Sequence, residues 1–251
     1  MAFTNPLIIC DNPTIASKIV EAIDELHDIE KSIFSFASTN RELILELESI
    51  FQATVKLYNL KSASDQIEIK AKHDLILSIH CQKIFPPELF NQVKCINLHP
   101  GYNPINRGWY PQVFAIIHNR IVGATIHEID ETIDNGLIID RIEVPYYSWD
   151  TSLSVYERII EGEILLFRKN IKSIIGDNYS RLPFQKGEDI GYYYTKKDFQ
   201  DICHLDLNQV GSLHEFINAL RALSHGNFNN AYFIDPLSGE KIFIRVILNR
   251  Q

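Results

Sequence analysis

Most marks of a secreted, membrane-bound or metal-binding protein are missing from this sequence of 251 residues. Its four cysteines form no CxxC or other paired spacing, so neither a disulfide framework nor a zinc site is indicated and the thiols should stay reduced. No apolar run approaches the roughly 20 residues that span a bilayer, and no basic segment precedes the first apolar stretch, as it would in a signal peptide. These absences predict a cytoplasmic protein with no metal and no membrane contact.

The sequence also has no run rich in lysine and arginine, and its formal net charge is −8. Proteins that grip nucleic acid by its phosphates usually present a basic face, so a nucleic-acid partner is not expected. Neither GxGxxG nor GxxxxGK[ST] occurs, which removes the usual support for dinucleotide binding and for a P-loop. A local basic pocket for a small phosphorylated ligand is still compatible with the overall charge.

The first part of the chain alternates between strand and helix patterns. Apolar or alternating runs predict strands at residues 6–10, 32–36, 53–57, 74–79 and 95–99, and helical periodicity or a Pro start predicts helices at 15–26, 42–51 and 86–91. Such alternation is typical of an α/β fold in which helices cover both faces of a mostly parallel sheet.

The pattern changes in the second half. We predict a helix at 110–118, antiparallel strands at 121–129 and 137–144, and a long helix at 152–175. Pro183, Gly187 and Gly191 then predict an irregular connector that includes the run Tyr192-Tyr193-Tyr194. A helix at 213–223 and a hairpin of strands 231–234 and 241–248 follow. A boundary near residue 180 would separate a domain of residues 1–180 from a small subdomain of residues 181–251.

Polar residues follow three of the predicted strands. In open α/β sheets, ligands bind beyond the carboxyl ends of the strands. This rule selects Asp11 and Asn12 after the first strand, the run His80-Cys81-Gln82-Lys83 after the middle strand, and Asn97 with His99 at the end of the next.

Asn97 and His99 carry the most chemical information. At positions i and i+2 of a strand their side chains point the same way, and Pro100-Gly101 then stops the strand. Downstream, His127 precedes Asp134 by seven residues. An amide that stabilises an oxyanion, an imidazole that moves a proton and a carboxylate that orients it suit acyl transfer to an amine. From spacing alone, a hydrogen-bonded strand end and a simple Asp-Asn-Gly turn explain these residues at least as well.

The run Asn97-Leu98-His99-Pro100, together with His127 and the Asp134-Asn135-Gly136 segment, resembles the folate-dependent formyltransferase superfamily over roughly residues 1–178. This resemblance implies a Rossmann-like, mostly parallel sheet with helices on both faces, plus a small C-terminal α+β subdomain with the β-hairpin. It also implies that Asn97, His99 and Asp134 are catalytic and that N10-formyltetrahydrofolate is the formyl donor. Whether His99 is the general base or an electrostatic partner stays open, and His127 would support the Asp134 loop.

Two further segments, residues 78–86 and 99–111, are similar to the sugar N-formyltransferases that act on dTDP-linked amino sugars. Superfamily members that act on tRNA or purine precursors typically carry Pro-Ser-Leu-Leu-Pro after the histidine, whereas this chain has Pro100-Gly101-Tyr102-Asn103-Pro104. Residues 181–251 also carry eight basic and eight acidic side chains, while a tRNA-binding appendage should be basic.

The subclass resemblance implies further site residues. Expected folate contacts are His80, Cys81, Gln82, Lys83, Ile84 and Asp130. Expected contacts to the nucleotide sugar are Asp11, Asn12, Gln82, Lys83, Trp109 and Tyr194. Surface exposure for Lys83, and core packing for Trp109 and Tyr194, are about equally compatible with the sequence.

The same resemblance implies a homodimer formed through the C-terminal region and a bacterial O-antigen or surface-polysaccharide pathway. The expected acceptor is dTDP-4-amino-4,6-dideoxyglucose. A 3-amino isomer, a UDP-linked sugar such as amino-arabinose, and an amino-acid-like amine are alternatives. A formyltetrahydrofolate hydrolase usually has an added N-terminal domain, which is not expected here. A non-catalytic folate-binding module is the alternative from another class.

Overall fold

The structure is a computed structural model that describes residues 2–183 and 191–250. Part of the predicted irregular connector, including Gly187, lies outside the described residues. Two short 3-10 helices, Lys31–Ile33 and Arg41–Leu43, occur beside the regular elements. The strands are β1 (Pro6–Cys10), β2 (Ser35–Ser38), β3 (Val55–Leu57), β4 (Leu75–Ile79), β5 (Lys94–His99), β6 (Asn106–Gly108), β7 (Gly123–Glu128), β8 (Ile138–Glu143), β9 (Tyr192–Tyr194), β10 (Tyr232–Ile234) and β11 (Lys241–Phe243). The helices are α1 (Pro13–Asp24), α2 (Ile44–Phe51), α3 (Ala63–Lys72), α4 (Pro87–Phe90), α5 (Pro111–Ile117), α6 (Ser152–Ile175), α7 (Lys196–Cys203) and α8 (Leu213–Leu223).

A seven-stranded sheet organises the main domain, in the order β3-β2-β1-β4-β5-β7-β8. The first five strands run parallel, and β7 and β8 then add in antiparallel direction. All five residues of β1 and of β4 are buried, as expected where helices cover both faces of a parallel sheet. The predicted α/β fold is therefore confirmed.

Helix α6 is the longest element, and sequence reasoning gave its bounds correctly. Thr151 and Ser154 form a capping box at its start, which satisfies backbone N–H groups that have no partner within the helix. An apolar stripe that includes Val155, Ile159 and Leu166 is buried in the main core. The charged side chain of Glu163 also lies fully buried on this helix.

The predicted connector after Asn178 is wrong in one respect. Tyr192–Tyr194 form β9, a strand that pairs parallel with β6 in a separate two-stranded sheet. Helices α3 and α7 were also missing from the sequence prediction. Both have few buried side chains, so they lack the broad apolar stripe by which a helix is found in a sequence.

The C-terminal part packs on the main domain through α8. Arg221 of α8 is buried, and it donates hydrogen bonds at 3.0 Å to the carbonyl oxygens of Tyr147 and Asp150. The expected hairpin is present as β10 and β11. Over residues 2–183 and 191–250, none of the helices has both the length and the apolar character needed to cross a membrane.

Helix α2 offers a test of the core with an internal control. Phe51 is fully buried and its ring stacks on Phe36 with a centroid distance of 4.1 Å. We expect Phe51→Ala to lower the free energy of unfolding by about 3–5 kcal/mol, measured by urea denaturation. Leu45→Ala on the same helix, at a side chain that is 80% exposed, should change it by less than about 0.5 kcal/mol. Equal losses in the two variants would contradict the assignment of the buried face.

Candidate active site

Asn97 and His99 both lie on β5, close to its carboxyl end. Because successive strand residues alternate between faces, the two side chains share one face of the sheet. Asn97 is half-buried and His99 is buried. In the antiparallel neighbour β7, His127 stands directly opposite Asn97, which adds a second imidazole to the same region.

Asp134 brings these side chains together. It lies in the loop between β7 and β8, in the left-handed backbone region with φ of 50°. Its Oδ1 accepts from Asn97 Nδ2 at 3.4 Å and lies 3.7 Å from His127 Nε2. Its Oδ2 lies 3.7 Å from His99 Nδ1. The predicted catalytic set therefore meets in one crevice.

The surroundings of Asp134 favour its ionised form. Burial acts to raise the pKa of Asp134, but its electrostatic interactions with His99 and His127 and the hydrogen bond from the backbone N–H of Gly108 outweigh it. The pKa of this carboxyl is consequently held well below its ordinary value. Gly108 N donates to Oδ2 at 3.0 Å, a charge-assisted bond of the stronger kind. A fixed negative charge therefore faces both imidazoles.

His99 is oriented by a main-chain carbonyl. Its Nε2 lies 2.9 Å from the carbonyl oxygen of Asn106. Because a carbonyl only accepts, this partner assigns the proton to Nε2 and leaves Nδ1 as the nitrogen that faces Asp134. The approach depends on Gly101: a Cβ there would lie 2.3 Å from the Asn106 oxygen and 2.5 Å from His99 Nε2.

His127 is held in the same way from the other side. Its Nδ1 donates to the carbonyl oxygen of Glu128 at 2.8 Å, and its Nε2 lies 3.2 Å from Asn97 Nδ2. His127 therefore contacts both Asn97 and Asp134. This position agrees with the supporting role that the sequence suggested for it.

A cavity of about 530 Å³ opens beside the start of β5 and the loop after β7, and none of Asn97, His99, His127 and Asp134 lines it. Its walls share β5 and the loop after β7 with the catalytic set: Cys95 lies two residues before Asn97, and Thr132 lies two residues before Asp134. Apolar side chains such as Phe90 and Ile129 line it together with the carboxylate of Asp130. Asp130 is exposed and accepts from the backbone and hydroxyl of Thr132 at 2.8 and 2.6 Å.

Asp11 ties three strand ends together. It is 4% exposed, and its two oxygens accept from the Ser38 hydroxyl, the Thr39 backbone and hydroxyl, and the Gln82 backbone at 2.5–3.0 Å. Burial acts to raise the pKa of Asp11, but these hydrogen bonds outweigh it and lower that pKa. The carboxylate predicted to contact substrate thus anchors β1, β2 and the segment after β4 to one another.

His80 and Asn12 belong to a second buried network that reaches α6. His80 Nε2 lies 2.8 and 3.0 Å from the two Glu163 oxygens, and Glu163 is completely buried. Asn12 Nδ2 lies 3.2 Å from His80 Nδ1 and donates to the Tyr156 hydroxyl at 2.9 Å. Asn12 Oδ1 meanwhile caps α1 by accepting from Thr14 N at 2.9 Å.

The other predicted contacts lie around the edge of this region. Gln82, Lys83 and Ile84 are exposed in the segment after β4. Burial raises the pKa of the Cys81 thiol to about 12, which disfavours its thiolate form. The roles of all four residues as folate or substrate contacts stay predictions.

The two predicted aromatic contacts also make protein contacts. Trp109 lies under the ammonium of Lys196, which is 3.9 Å from a ring centroid of Trp109. Tyr194 stacks on Phe114 with a centroid distance of 3.7 Å and an interplanar angle of 3°. Both side chains are half-buried, and their contacts to a nucleotide sugar stay predictions.

Comparison with known proteins agrees with this geometry. The family model described as formyl transferase matches residues 24–170. The chain belongs to the formyl transferase family. A second model, described as the N-formyltransferase dimerization C-terminal domain, matches residues 198–250 of the same transferase chain. The resemblance identified in the sequence is thereby confirmed.

Three relatives of this formyl transferase are informative. A protein from Mycobacterium bovis named dTDP-4-amino-4,6-dideoxyglucose formyltransferase is 46% identical over 182 residues, which cover 72% of this chain and 76% of the relative. The crystal structure of a 4-N formyltransferase from Francisella tularensis is 34% identical, covers 99% of both chains and superposes with a TM-score of 0.88. The formyltransferase PseJ from Anoxybacillus kamchatkensis, solved with UDP-4,6-dideoxy-4-formamido-L-AltNAc and tetrahydrofolate, is 27% identical, covers 78% of this chain and 88% of its own, and gives a TM-score of 0.53.

Sequence reasoning missed two groups of residues in this transferase. Glu163 and Tyr156 contact His80 across about 80 positions of sequence, and only the presence of a glutamate on the apolar stripe of α6 could have indicated them. The backbone atoms of Asn106 and Gly108 were missed because main-chain contacts leave no signal in side-chain identity.

The His80–Glu163 pair can be tested against a neighbour on the same helix. Removing the buried Glu163 carboxylate leaves His80 Nε2 without its hydrogen-bond partner, so we expect Glu163→Ala to lower the free energy of unfolding by about 2–3 kcal/mol. Glu161→Ala, at an exposed position two residues earlier, should leave it within about 0.5 kcal/mol. Urea unfolding of the three proteins measures both. A Glu163→Ala protein as stable as the parent would show that the pair contributes nothing.

Proposed function

We propose that this chain transfers a formyl group from N10-formyltetrahydrofolate to the amino group of a dTDP-linked amino-dideoxy sugar, with dTDP-4-amino-4,6-dideoxyglucose as acceptor. The observation that carries the proposal is the meeting of Asn97, His99 and an ionised Asp134 in one crevice. Membership of the formyl transferase family supports the reaction. The 46% identity to the mycobacterial enzyme of that name supports the acceptor.

The cavity suits the pterin end of a folate donor. Phe90 and Ile129 offer apolar contact to a flat ring, and Asp130 together with main-chain groups of residues 128–132 offers hydrogen-bond partners. His80, Cys81, Gln82, Lys83 and Ile84 would line the approach from the β4 side. The donor supplies the formyl carbon to which the sugar amine bonds.

Each side chain of the catalytic set would have a separate role in the formyl transfer. Asn97 would turn one of its two amide N–H groups from His127 or Asp134 toward the formyl oxygen and stabilise the negative charge that develops there. His99 keeps Nε2–H on the Asn106 carbonyl, so Nδ1 accepts the proton that the attacking amine loses and returns a proton to N10 as the bond from N10 to the formyl carbon breaks. Asp134 stabilises the resulting imidazolium, and His127 holds both Asn97 and Asp134.

The sugar nucleotide would enter from the side of the exposed β4 segment. We assign Lys83 and Gln82 to the diphosphate, since an ammonium beside a cleft suits phosphate oxygens. Trp109 would border the sugar and Tyr194 the thymine. Asp11 and Asn12 would contribute mainly by holding the strand ends, because their polar atoms are already engaged within the protein.

Two alternatives keep the same site. A UDP-linked sugar is favoured by one observation, the UDP-sugar bound to the related PseJ structure. A hydrolase that gives the formyl group to water would use the same three side chains. We place the dTDP-sugar reaction in bacterial surface-polysaccharide synthesis in the cytoplasm, without nucleic acid or membrane as a partner.

The reaction is tested by tetrahydrofolate release from N10-formyltetrahydrofolate with a panel of dTDP- and UDP-linked 3-amino and 4-amino sugars. We expect release only with the dTDP-4-amino sugar. Asn97→Ala should lower kcat by about 10²–10³, and His99→Asn by about 10²–10⁴. Glu161→Ala, on the exposed side of α6, serves as the control and should retain full activity.

Other outcomes of this assay lead to other functions. Release without any sugar would identify a hydrolase. Folate binding without turnover, measured by calorimetry, would leave a binding module. Turnover with a UDP-sugar alone would replace the proposed acceptor.

We further propose that the chain forms a homodimer through its C-terminal part. The match to a dimerization domain supports this assembly. Between residues 207 and 247, several apolar side chains are more than half exposed: Leu207, Val210, Leu213, Phe228, Leu237 and Ile247. Exposed apolar area on this scale is typical of a surface that a partner covers.

Light scattering after size-exclusion chromatography should give twice the 29.0 kDa mass of the chain. Leu213→Glu and Ile247→Glu place a charge on the exposed apolar surface and should shift the mass toward that of the monomer. Leu45→Glu, at an 80% exposed site on α2, should keep the dimer. A monomeric parent protein would contradict the proposal.

A further inference from the structure

The short strand β6 supplies two of the contacts that hold the catalytic side chains. The carbonyl oxygen of Asn106, its first residue, accepts from His99 Nε2 at 2.9 Å. The backbone N–H of Gly108, its last residue, donates to Asp134 Oδ2 at 3.0 Å. Both are main-chain groups, so their positions depend on the path of β6 and not on side-chain rotamers.

That path is fixed by β9, which belongs to the C-terminal part of the chain. In the part of the chain that the structure describes, β9 is the strand that pairs with β6, with Asn106 opposite Tyr192 and Gly108 opposite Tyr194. The pairing continues beyond the strand, since Trp109 N donates to the Tyr194 carbonyl at 2.8 Å. Because β6 has only three residues, it makes few hydrogen bonds, and loss of β9 would remove most of the contacts that fix its backbone.

Two glycines with positive φ allow the strands to approach closely. A Cβ on Gly108, at φ of 86°, would lie 2.3 Å from the Tyr194 carbonyl oxygen. A Cβ on Gly191, at φ of 58°, would lie 2.3 Å from the Ile105 carbonyl oxygen and 2.6 Å from its Cα. Any side chain at either position must therefore push β9 and β6 apart.

Side chains around β9 anchor it to the main domain. The Tyr194 ring stacks on Phe114 of α5 at 3.7 Å. Just beyond the strand, Phe199 of α7 stacks on Tyr110 at 3.9 Å between ring centroids. These stacked pairs hold β9 against α5, which follows β6 directly in sequence. β9 is therefore held both by its pairing with β6 and by its contact with α5.

We propose that β9 is a positioning strand for catalysis: by pairing with β6 it fixes the Asn106 carbonyl on His99 and the Gly108 N–H on Asp134. This inference rests on the proposed formyl transfer for its kinetic consequence. It assigns the C-terminal part of the chain a role inside the reaction centre in addition to dimerization. Loosening β9 should therefore lower the rate of transfer and leave folate binding unchanged.

The test compares two glycines with nearly equal backbone conformations. Gly191→Ala introduces the clash with Ile105, whereas Gly226→Ala, at φ of 54°, places its Cβ 3.4 Å from Leu153 Cδ2, an ordinary contact. We expect Gly191→Ala to lower kcat by at least about 10-fold, since a misplacement near 1 Å can cost about 10²-fold. Its Kd for N10-formyltetrahydrofolate should stay within twofold of the parent, and Gly226→Ala should retain full kcat. Equal kcat values for the two variants would overturn the proposal.

A spectroscopic readout separates this inference from the proposed function. In the NMR spectrum of the full chain, the His99 Nε2–H proton is assigned by its absence in His99→Asn. We expect Gly191→Ala to shift or remove this signal and Gly226→Ala to keep it; an unchanged signal in Gly191→Ala refutes positioning by β9. If the parent transfers formyl to no sugar while the signal responds as expected, the proposed function fails and the positioning role stands. If Gly191→Ala does not fold, Phe114→Leu takes its place, because it removes the ring that stacks on Tyr194. We then expect Phe114→Leu to lower kcat and to shift or remove the His99 Nε2–H signal, and an unchanged kcat and signal would refute positioning by β9.

Discussion

The negative charge of Asp134 is the constraint on which the reaction centre depends. A partly buried carboxylate stays ionised only where charges and hydrogen-bond donors compensate for lost water. Here the compensation comes from His99, His127, Asn97 and the Gly108 N–H. These groups lie on β5, β7 and β6, so the charge requires that three separate strands keep their relative positions.

Two buried networks elsewhere in the fold hold the neighbouring strand ends in place. Asp11 joins the ends of β1 and β2 to the segment after β4. The His80–Glu163 pair joins the end of β4 to the middle of α6. Both networks are buried and have their partners within the protein, which favours a single rigid arrangement. The exposed residues after β4, which are residues 82–84, therefore follow a strand end that both networks hold in place.

Sequence reasoning succeeded where a local pattern determines the structure. The bounds of β1 and α6 follow from apolar runs and periodicity, and the shared face of Asn97 and His99 follows from their spacing of two. It did not find the pairing of β6 with β9, because three-residue strands have no periodicity and their partners lie more than 80 positions apart. Glu163 could be recognised as unusual on α6, but its partner His80 could not be inferred, since contacts between distant segments depend on the whole fold.

The close packing at Gly101 limits how this sequence can change. In superfamily members that act on tRNA or purine precursors a serine typically follows the His-Pro pair, whereas a Cβ at residue 101 would overlap both the Asn106 carbonyl and the His99 ring. A Gly101→Ser substitution would displace the imidazole unless residues 102–106 moved with it. A side chain at position 101 is therefore compatible with this site only if the loop of residues 102–106 takes another path.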